Sequence, residues 1–292
     1  MNGRFEQLDR QQHDGASTSG PSRLKRTFSS CFGCCVSKQD VDGDSHLQPL
    51  NMFEPRNQNT LEDLLERSAA ARKDTWQEVG TTEPLVLNDS ANPALMGGPK
   101  WPALRQAFRV IRPRTGNVIL ASDGLSDPFD DVTLGEGNVN GFGLEFFIET
   151  PSDEIADSVE DIKRSWQFQL LYTVSQLAAG HGSIKSILDD MKLLSTEAEG
   201  VNVAIPEADR PTHVNSAGRV GALLGLKASE AGVPQKIETT PLTEVHLVNI
   251  KLLTLKELQL ITEQGAAGRQ KLDSLFEGSI RLMSSLSRTS VV

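Results

Sequence analysis

The spacing of apolar residues divides this chain into three parts. Residues 1–58 are rich in Ser, Gly, Asn, Gln and Asp and hold few apolar residues, which predicts a disordered arm. From residue 59 to 280, apolar positions recur at intervals of two, or of three and four, and this pattern predicts one folded domain. Residues 281–292 are Ser-rich and are expected to form a flexible tail.

Five stretches have the spacing of amphipathic helices. Thr60 is placed to cap the first of them. Thr254 and Glu257 have the spacing of a capping box at the start of the fourth. The predicted helices are "NTLEDLLERSAAARKDTW", a long helix over 159–180, "SIKSILDDMKLL", "TLKELQLITEQG" and a last helix over roughly 267–278.

Two apolar stretches in the middle of the chain are predicted to be buried strands. They are "NVILAS" and "GFGLEFFIET", and in the second Phe142, Leu144, Phe146 and Ile148 fall on one face. The segments "GVNVAI", "RVGALLGLK" and "EVHLVNIKLL" are further strand candidates, while "WPALRQAFRVIRP" fits either a helix or a strand. Because strands and helices do not alternate regularly, we expect an α+β fold with a mixed, mostly antiparallel sheet covered by helices.

The charge and composition of the chain argue against several classes of function. The formal net charge is −10, whereas general nucleic-acid binding needs a basic face against the phosphates. A membrane-spanning helix needs a run of about 18 apolar residues, and the sequence contains none. The beginning of the chain also lacks the apolar core of a secretion signal. We therefore expect a cytoplasmic protein that does not bind nucleic acid.

All three cysteines, Cys31, Cys34 and Cys35, lie close together in the arm and are flanked by basic residues. Three interpretations stay open. With His46 they would supply the four ligands of a zinc site, but the adjacent Cys34 and Cys35 give poor tetrahedral geometry. S-acylation fits better than zinc, since clustered thiols beside basic and Phe residues resemble lipidated segments, and it would hold the chain at a membrane surface. Otherwise they are reduced thiols of a disordered arm.

The Asp-Gly pair in "ILASDGLSDPFDD" is the main candidate for catalytic chemistry. Metal-dependent Ser/Thr phosphatases carry a similar pair at the end of a strand, and there the Asp binds a metal, which would make Asp123 a ligand. Such enzymes need further carboxylates, and the chain has no "DGHG" element to supply them. It also lacks His residues at metal-ligand spacing and a "GxSxG" nucleophile elbow. We expect no enzyme activity, catalytic residue, metal or cofactor, and keep a metal-dependent hydrolase using Asp123 as the alternative.

Two Gly-containing motifs give the chain a family resemblance. The first ends a predicted strand, and the second begins the next strand after a short acidic loop; they are Gly124, Leu125, Ser126 and Asp127, and "GFGLE" at 141–145. In this order they resemble the Suppressor of fused family, as do a helix that starts at Trp166 and the closing "VHLVNIKLLTLKELQLITEQG". The resemblance covers roughly residues 105–277, so residues 59–280 are identified as a Suppressor of fused-like domain.

The chain departs from the family pattern in two places. Ala121, Ser122 and Asp123 stand where the family has aromatic residues, and Trp166 lacks the Pro that follows it in the family. The segment 183–240 also matches poorly. These differences leave the identity of the partner open more than the fold.

The resemblance implies a non-enzymatic module that sequesters a protein partner by holding a short peptide as an added strand. It implies that the partner contacts the motif residues Gly124, Leu125, Ser126, Asp127, Phe142, Gly143 and Glu145. Asp127, Asp130 and Asp131 are expected to form an acidic rim that meets a basic or His-containing peptide. On the alternative interpretation, residues 124–127 only stabilise their own loop, and Gly124 lets the backbone reverse there.

Overall fold

The computed structural model describes residues 60–88, 93–129, 139–227 and 232–292. The predicted disordered arm lies outside the described residues, and so do Cys31, Cys34 and Cys35. The same holds for Asp130 and Asp131 of the predicted acidic rim. The expectations for these segments therefore stay predictions.

The described segments form seven α-helices and eight strands that follow the predicted α+β class. The helices are α1 (Leu61–Val79), α2 (Val159–Arg164), α3 (Trp166–His181), α4 (Ile184–Met191), α5 (Arg210–His213), α6 (Leu255–Gln264) and α7 (Ala266–Leu275). The strands are β1 (Gly80–Asn88), β2 (Ala107–Pro113), β3 (Asn117–Asp123), β4 (Leu144–Pro151), β5 (Leu194–Ala198), β6 (Val220–Leu224), β7 (Lys236–Ile237) and β8 (Val245–Leu252).

The described strands form one sheet in the order β1-β2-β3-β4-β8-β6-β5, with the short β7 paired to β8. Its pairs are antiparallel except β4 and β8, which run parallel from Leu144 opposite His246 to Phe147 opposite Asn249. On its other side, β8 pairs with β7 near its start and with β6 near its end. This confirms the predicted mixed, mostly antiparallel sheet and makes β8 the strand on which two parts of the sheet meet.

Helices cover both faces of the central strands. In β3, Ala121 lies opposite Phe147 of β4, while the next residue lies opposite Phe108 of β2, so the two Phe rings point to opposite faces. Trp76 of α1 packs edge-on against Phe147 at 6.0 Å between ring centroids, and Phe168 of α3 packs against Phe108 at 5.0 Å. Burial on both faces explains why the β3 sequence is apolar without alternation.

The predicted helix caps are confirmed. The Thr60 side chain accepts a hydrogen bond from the N–H of Asp63 at the start of α1. Thr254 and Glu257 form the capping box of α6, each side chain accepting from the backbone N–H of the other. These local signals are readable because a cap involves residues three positions apart.

The prediction of one long helix over 159–180 is wrong, because two helices, α2 and α3, cover this segment. Ser165 ends α2 and caps α3, its side chain accepting from the Phe168 N–H at 3.3 Å. The helix α3 passes Gly180 and ends at His181, because Gly182 takes the left-handed conformation with φ of 76°. Trp166, at the first position of α3, is buried as predicted, with 3% of its surface exposed.

The strand predictions need two corrections. "GVNVAI" is not a strand but contains a 3₁₀ helix at Val201–Ala204. "WPALRQAFRVIRP" is a 3₁₀ turn at Pro102–Leu104 followed by β2, and this resolves the choice between helix and strand. The edge strands β1 and β5 were not predicted, because their partly polar sequences show no clear alternation and their pairing comes from neighbouring strands.

The Ser-rich segment after residue 281 packs on the domain, in contrast to the predicted flexible tail. Ser284 is completely buried, and its N–H donates to the Glu149 carbonyl at 2.7 Å. Arg288 pairs with the buried Glu257. The polar side chains that suggested a free tail are used in hydrogen bonds. Among the described residues, no helix is both long and apolar enough to cross a bilayer.

Candidate functional site

The Gly-Leu-Ser-Asp turn after β3 forms part of a buried ionic cluster. Arg72 of α1, with no exposed surface, donates to Asp123 at 2.6 Å and to Asp127 at 2.5 Å. Arg105 donates to the same two carboxylates, at 3.1 and 2.8 Å. Arg109 of β2 completes the set by donating to Asp123 at 2.6 Å. The cluster joins α1, β2 and the turn.

Glu145 of β4 organises the backbone of the turn from the other side. It is completely buried and accepts from the N–H groups of Gly124 and Ser126 at 3.0 and 2.9 Å. The hydroxyl groups of Ser122 and Ser126 also donate to it, at 2.5 and 2.6 Å. With Asp123 and Asp127, it gives three carboxylates against three guanidinium groups. The cluster is therefore balanced in charge within itself.

The ionic partners set the protonation states in this cluster. Burial alone would raise the pKa of Asp123, but the attraction of Arg72, Arg105 and Arg109 outweighs it and holds the pKa well below its usual range. Burial likewise opposes the charged form of Arg72, and its neighbouring carboxylates raise its pKa above the ordinary value. Both shifts favour the charged forms of Asp123 and Arg72.

The structure places the predicted contact residues mainly inside the protein. The residues with little or no solvent exposure are Gly124, Leu125, Ser126, Asp127, Gly143 and Glu145. Phe142 is half-buried and packs against Phe129 at 5.4 Å. The expectation of Asp127 on an acidic rim is wrong, since only 1% of this residue is exposed. Arg72 and Arg105 draw it into the ionic cluster.

Gly124 and Gly143 have structural reasons to be glycine. Gly124 has φ of 148°, and a Cβ atom there would collide with the Arg105 backbone and approach the Trp101 ring. Gly143 has φ of 70° and lies against the side chain of Lys185. Both therefore shape their loops, as the alternative interpretation of the motif requires.

The surroundings of Asp123 are unsuited to a divalent cation. Both of its carboxylate oxygens receive hydrogen bonds from Arg side chains, and a metal ion there would face three guanidinium charges. Within the described ranges, no group of three or more His, Cys, Asp or Glu residues is arranged to hold a metal. The ionic cluster therefore has the organisation of a structural support.

A groove lies beside the middle of β8, where β6 ends and β7 begins. Its volume is about 310 Å³. The Leu247 N–H donates to the Gln235 carbonyl on one side of it, and the Gly225 N–H donates to the Asn249 carbonyl on the other. The apolar floor includes Phe147, Leu188, Leu226, Val233, Leu247, Val248 and Leu282, and the charged rim consists of Asp189, Lys192, Lys227, Lys236 and His246.

The rim of this groove carries charges of both signs. His246 lies 3.5 Å from Asp189 and 3.3 Å from Glu244. Lys236 donates to Glu244 at 2.8 Å and lies 3.0 Å from Glu238, and these hydrogen bonds raise its pKa. Lys227 is exposed at the rim. The groove therefore combines an apolar floor with a charged rim.

The sequence analysis did not identify this groove. It falls largely within 183–240, the segment that matched the family pattern poorly. The one local signal was the Gly- and Pro-containing loop "GLKASEAGVPQK" between two strand candidates. That signal cannot show that β6 and β7 pair with the same strand and leave an opening between them.

Of three comparisons with known proteins, one found similar proteins. No protein-family model matches the sequence, and no curated protein does. Among solved structures, the Sufu–Fu complex crystal structure matches with a TM-score of 0.48 and 16% identity, over 78% of this chain and 91% of that chain. The crystal structure of Drosophila Suppressor of Fused matches with a TM-score of 0.45 and 16% identity, over 78% of this chain and 51% of that chain.

This chain therefore spans about half the length of the Drosophila protein. Both of these solved structures contain Suppressor of fused, and the sequence motifs of this chain resemble the same family.

Proposed function

We propose that this chain is a non-enzymatic protein-binding domain that holds an extended partner peptide in the groove beside β8. The observation that carries the proposal is the apolar floor and charged rim at the opening between β6 and β7. An extended peptide can lie along a strand and place alternate side chains in such a pocket. The motif residues would then act at a distance from the partner, by fixing the sheet on which the groove lies.

The size of the groove favours a peptide side chain over a whole small molecule. Ligand pockets of enzymes and cofactor proteins usually measure about 300–1,000 Å³. The groove, at about 310 Å³, is at the small end of that range. Its apolar floor suits one or two apolar anchors, and its mixed rim suits flanking polar residues. This arrangement supports a regulatory or sequestering role.

Photo-crosslinking tests the proposal directly. A photoreactive residue is placed at the exposed Gln235, beside the groove, and the full chain is used to capture partners from its own cell type. The matched control carries the same residue at exposed Lys271 of α7. We expect a discrete partner peptide at Gln235 and not at Lys271, identified by mass spectrometry. Equal labelling at both positions, or none at Gln235, would refute a binding groove.

Calorimetry distinguishes the proposed binding domain from the alternative function, a metal-dependent hydrolase. Mn²⁺ and Mg²⁺ are titrated into the full chain and into the Asp123→Asn variant, after circular dichroism has shown that the variant is folded. We expect no stoichiometric binding that depends on Asp123, because its oxygens are used by Arg72, Arg105 and Arg109. Tight binding that the substitution abolishes would favour the hydrolase.

Attachment to a membrane through Cys31, Cys34 and Cys35 is a separate part of the proposal. It rests on the clustered thiols and their basic neighbours in the sequence. Changing all three Cys to Ser should move the protein from the membrane fraction to the supernatant. A native chain that is found only in the supernatant would end this part of the proposal and leave the groove unaffected.

A further inference from the structure

Arg269 of α7 is a buried cation whose side chain has no partner among the described residues. Only 9% of its surface is exposed, and its guanidinium group makes no hydrogen bond or ion pair with any of them. Burial lowers its pKa, and no carboxylate is close enough to oppose this effect. Arg72, in contrast, is held by Asp123 and Asp127. An unpaired charge is costly to bury, so an anion that reaches Arg269 would be bound favourably.

The N-terminus of α7 lies close to Arg269 in the chain and has unpaired N–H groups of its own. The helix begins at Ala266, runs for 10 residues, and has no side-chain cap at Gly265. The first N–H groups of a helix have no acceptor within that helix, and its dipole places partial positive charge there. Ala266 and Ala267 are exposed, so a dissolved anion can reach this end of the helix.

Helix geometry directs the Arg269 side chain toward the same end. Side chains in a helix tilt toward its N-terminus and cover the residues three and four positions earlier, which here are Ala266 and Gly265. The neighbouring side of the turn is closed by α6, since a Cβ atom on Gly268 would lie 2.7 Å from the Leu260 carbonyl oxygen. The nitrogens of Arg269 are not among the described polar atoms that are sealed from solvent without a partner. An anion at this helix end can therefore contact the guanidinium group as well.

We infer that Arg269 and the N-terminus of α7 form a binding site for a small oxyanion, and that a phosphate group is its ligand. Main-chain N–H groups at a helix N-terminus bind phosphate oxygens, and a guanidinium group adds two charge-assisted hydrogen bonds. Inorganic phosphate and the phosphoserine side chain of a protein partner offer the same oxygens to such a site. The site is separate from the groove beside β8, so the inference does not rest on the proposed function.

A phosphate titration of the full chain tests the site. Phosphate is added at constant ionic strength, set with chloride, while NMR follows the amide groups of residues 266–268. We expect a saturable shift of these amides, with affinity about tenfold lower in Arg269→Met. Lys271→Met is the matched control, because it removes a cation from an exposed position of the same helix, and its affinity should stay within about twofold of wild type. Shifts that do not saturate, or equal affinity in wild type and Arg269→Met, would overturn the inference.

A carboxylate built into the chain provides a second test that leaves Arg269 in place. Ala266→Asp puts an anion at the first position of α7, three residues before Arg269, where it would occupy the site. We expect this variant to lose phosphate binding. Ser274→Asp is the control, since it adds the same charge at an exposed position near the other end of the helix and should leave phosphate binding within about twofold of wild type. Unchanged phosphate binding by Ala266→Asp would contradict the site.

Two short peptides distinguish the sources of the phosphate group. Acetyl-Gly-phosphoserine-Gly and the same peptide without phosphate are titrated into the full chain in the same way. Tighter binding of the phosphopeptide than of inorganic phosphate would assign the site to a phosphorylated partner, and the reverse order would assign it to the free anion. Equal binding of the two peptides would show that the phosphate group is not what the site recognises.

Discussion

Two buried ionic regions of this domain have equally short contacts and lie in different structural settings. In the ionic cluster the closest Arg72–Asp123 contact is 2.6 Å, and the Arg288–Glu257 contact is also 2.6 Å. The first joins a helix to the central strands. The second holds residues 282–292 against the domain. Short, buried ion pairs therefore do not show by themselves which part of a protein binds partners.

The difference lies in what the carboxylates bind. In the ionic cluster, three carboxylates are matched by three guanidinium groups that belong to the folded framework. Glu154 and Glu257 instead take main-chain N–H groups and side chains of one short segment. The carboxylates that the sequence motif identifies are paired inside the folded framework, and the proposed binding surface is formed by other residues.

Removing Arg72 should have the largest effect on stability. Arg72→Met leaves Asp123 and Asp127 buried with fewer partners, and breaking a buried ion pair costs about 3–5 kcal/mol. Chemical denaturation measures this loss. Arg105→Met is the control, with a loss of about 1 kcal/mol expected, since Arg105 is 37% exposed and water screens its charge. Equal losses would show that burial does not distinguish the two residues.

A substitution at a buried apolar residue, with an expected loss of stability of similar size, sharpens the comparison. Trp166 is buried at the start of α3, and Trp166→Ala should cost about 3–5 kcal/mol through lost contacts and the cavity left behind. Denaturant melts provide the measurement. A loss below about 1 kcal/mol would contradict the position of this residue in the core.

Weakening the second ionic region should have a smaller and more local effect. Glu257→Gln keeps the size of the side chain and a capping group for α6 but removes the charge that pairs with Arg288. We expect a loss of about 1–3 kcal/mol in the stability of the segment 282–292 against local opening, read by hydrogen exchange. An equal loss in the exchange of β3 would mean that the segment and the core unfold together.

Lys251 makes the stability of the domain depend on pH. It donates to the carbonyls of Ile280 and Met283, and the second of these lies within residues 282–292. Burial, and then the charge of Arg288, lower its pKa from 10.5 to about 7. The unfolded chain binds more protons than the folded chain between these values, so this residue makes stability rise as the pH increases from about 7 to about 10.5.

Unfolding free energies of wild type and Lys251→Met across this range provide the test. We expect the rise to be absent in the variant, because methionine does not titrate. If the unfolding free energy rises with pH at the same slope in both proteins, the rise comes from another titrating group.

The sequence predicts the parts of the fold that depend on near neighbours. The Thr60 cap, the Thr254–Glu257 box and the strand before Gly124 are all found where expected. Apolar spacing also identifies Trp166 as a core residue. Each of these features depends on residues that lie close together in the sequence.

The partners of charged residues could not be predicted in the same way. Asp127 looks like an exposed acid in the sequence, and its burial depends on Arg72, which is 55 positions away. Ser284 looks like part of a free tail, and its place depends on Glu149 and Leu252. The groove likewise exists only because distant strands share β8. Such features follow from topology, which local patterns do not contain.

The most direct test of the central claim is hydrogen exchange of the full chain with and without its captured partner. If the groove binds the partner and the ionic cluster only supports the fold, added protection should appear in 233–237 and 245–249. Residues 124–127 should exchange as before. Protection at 124–127 without any change along β8 would contradict this account.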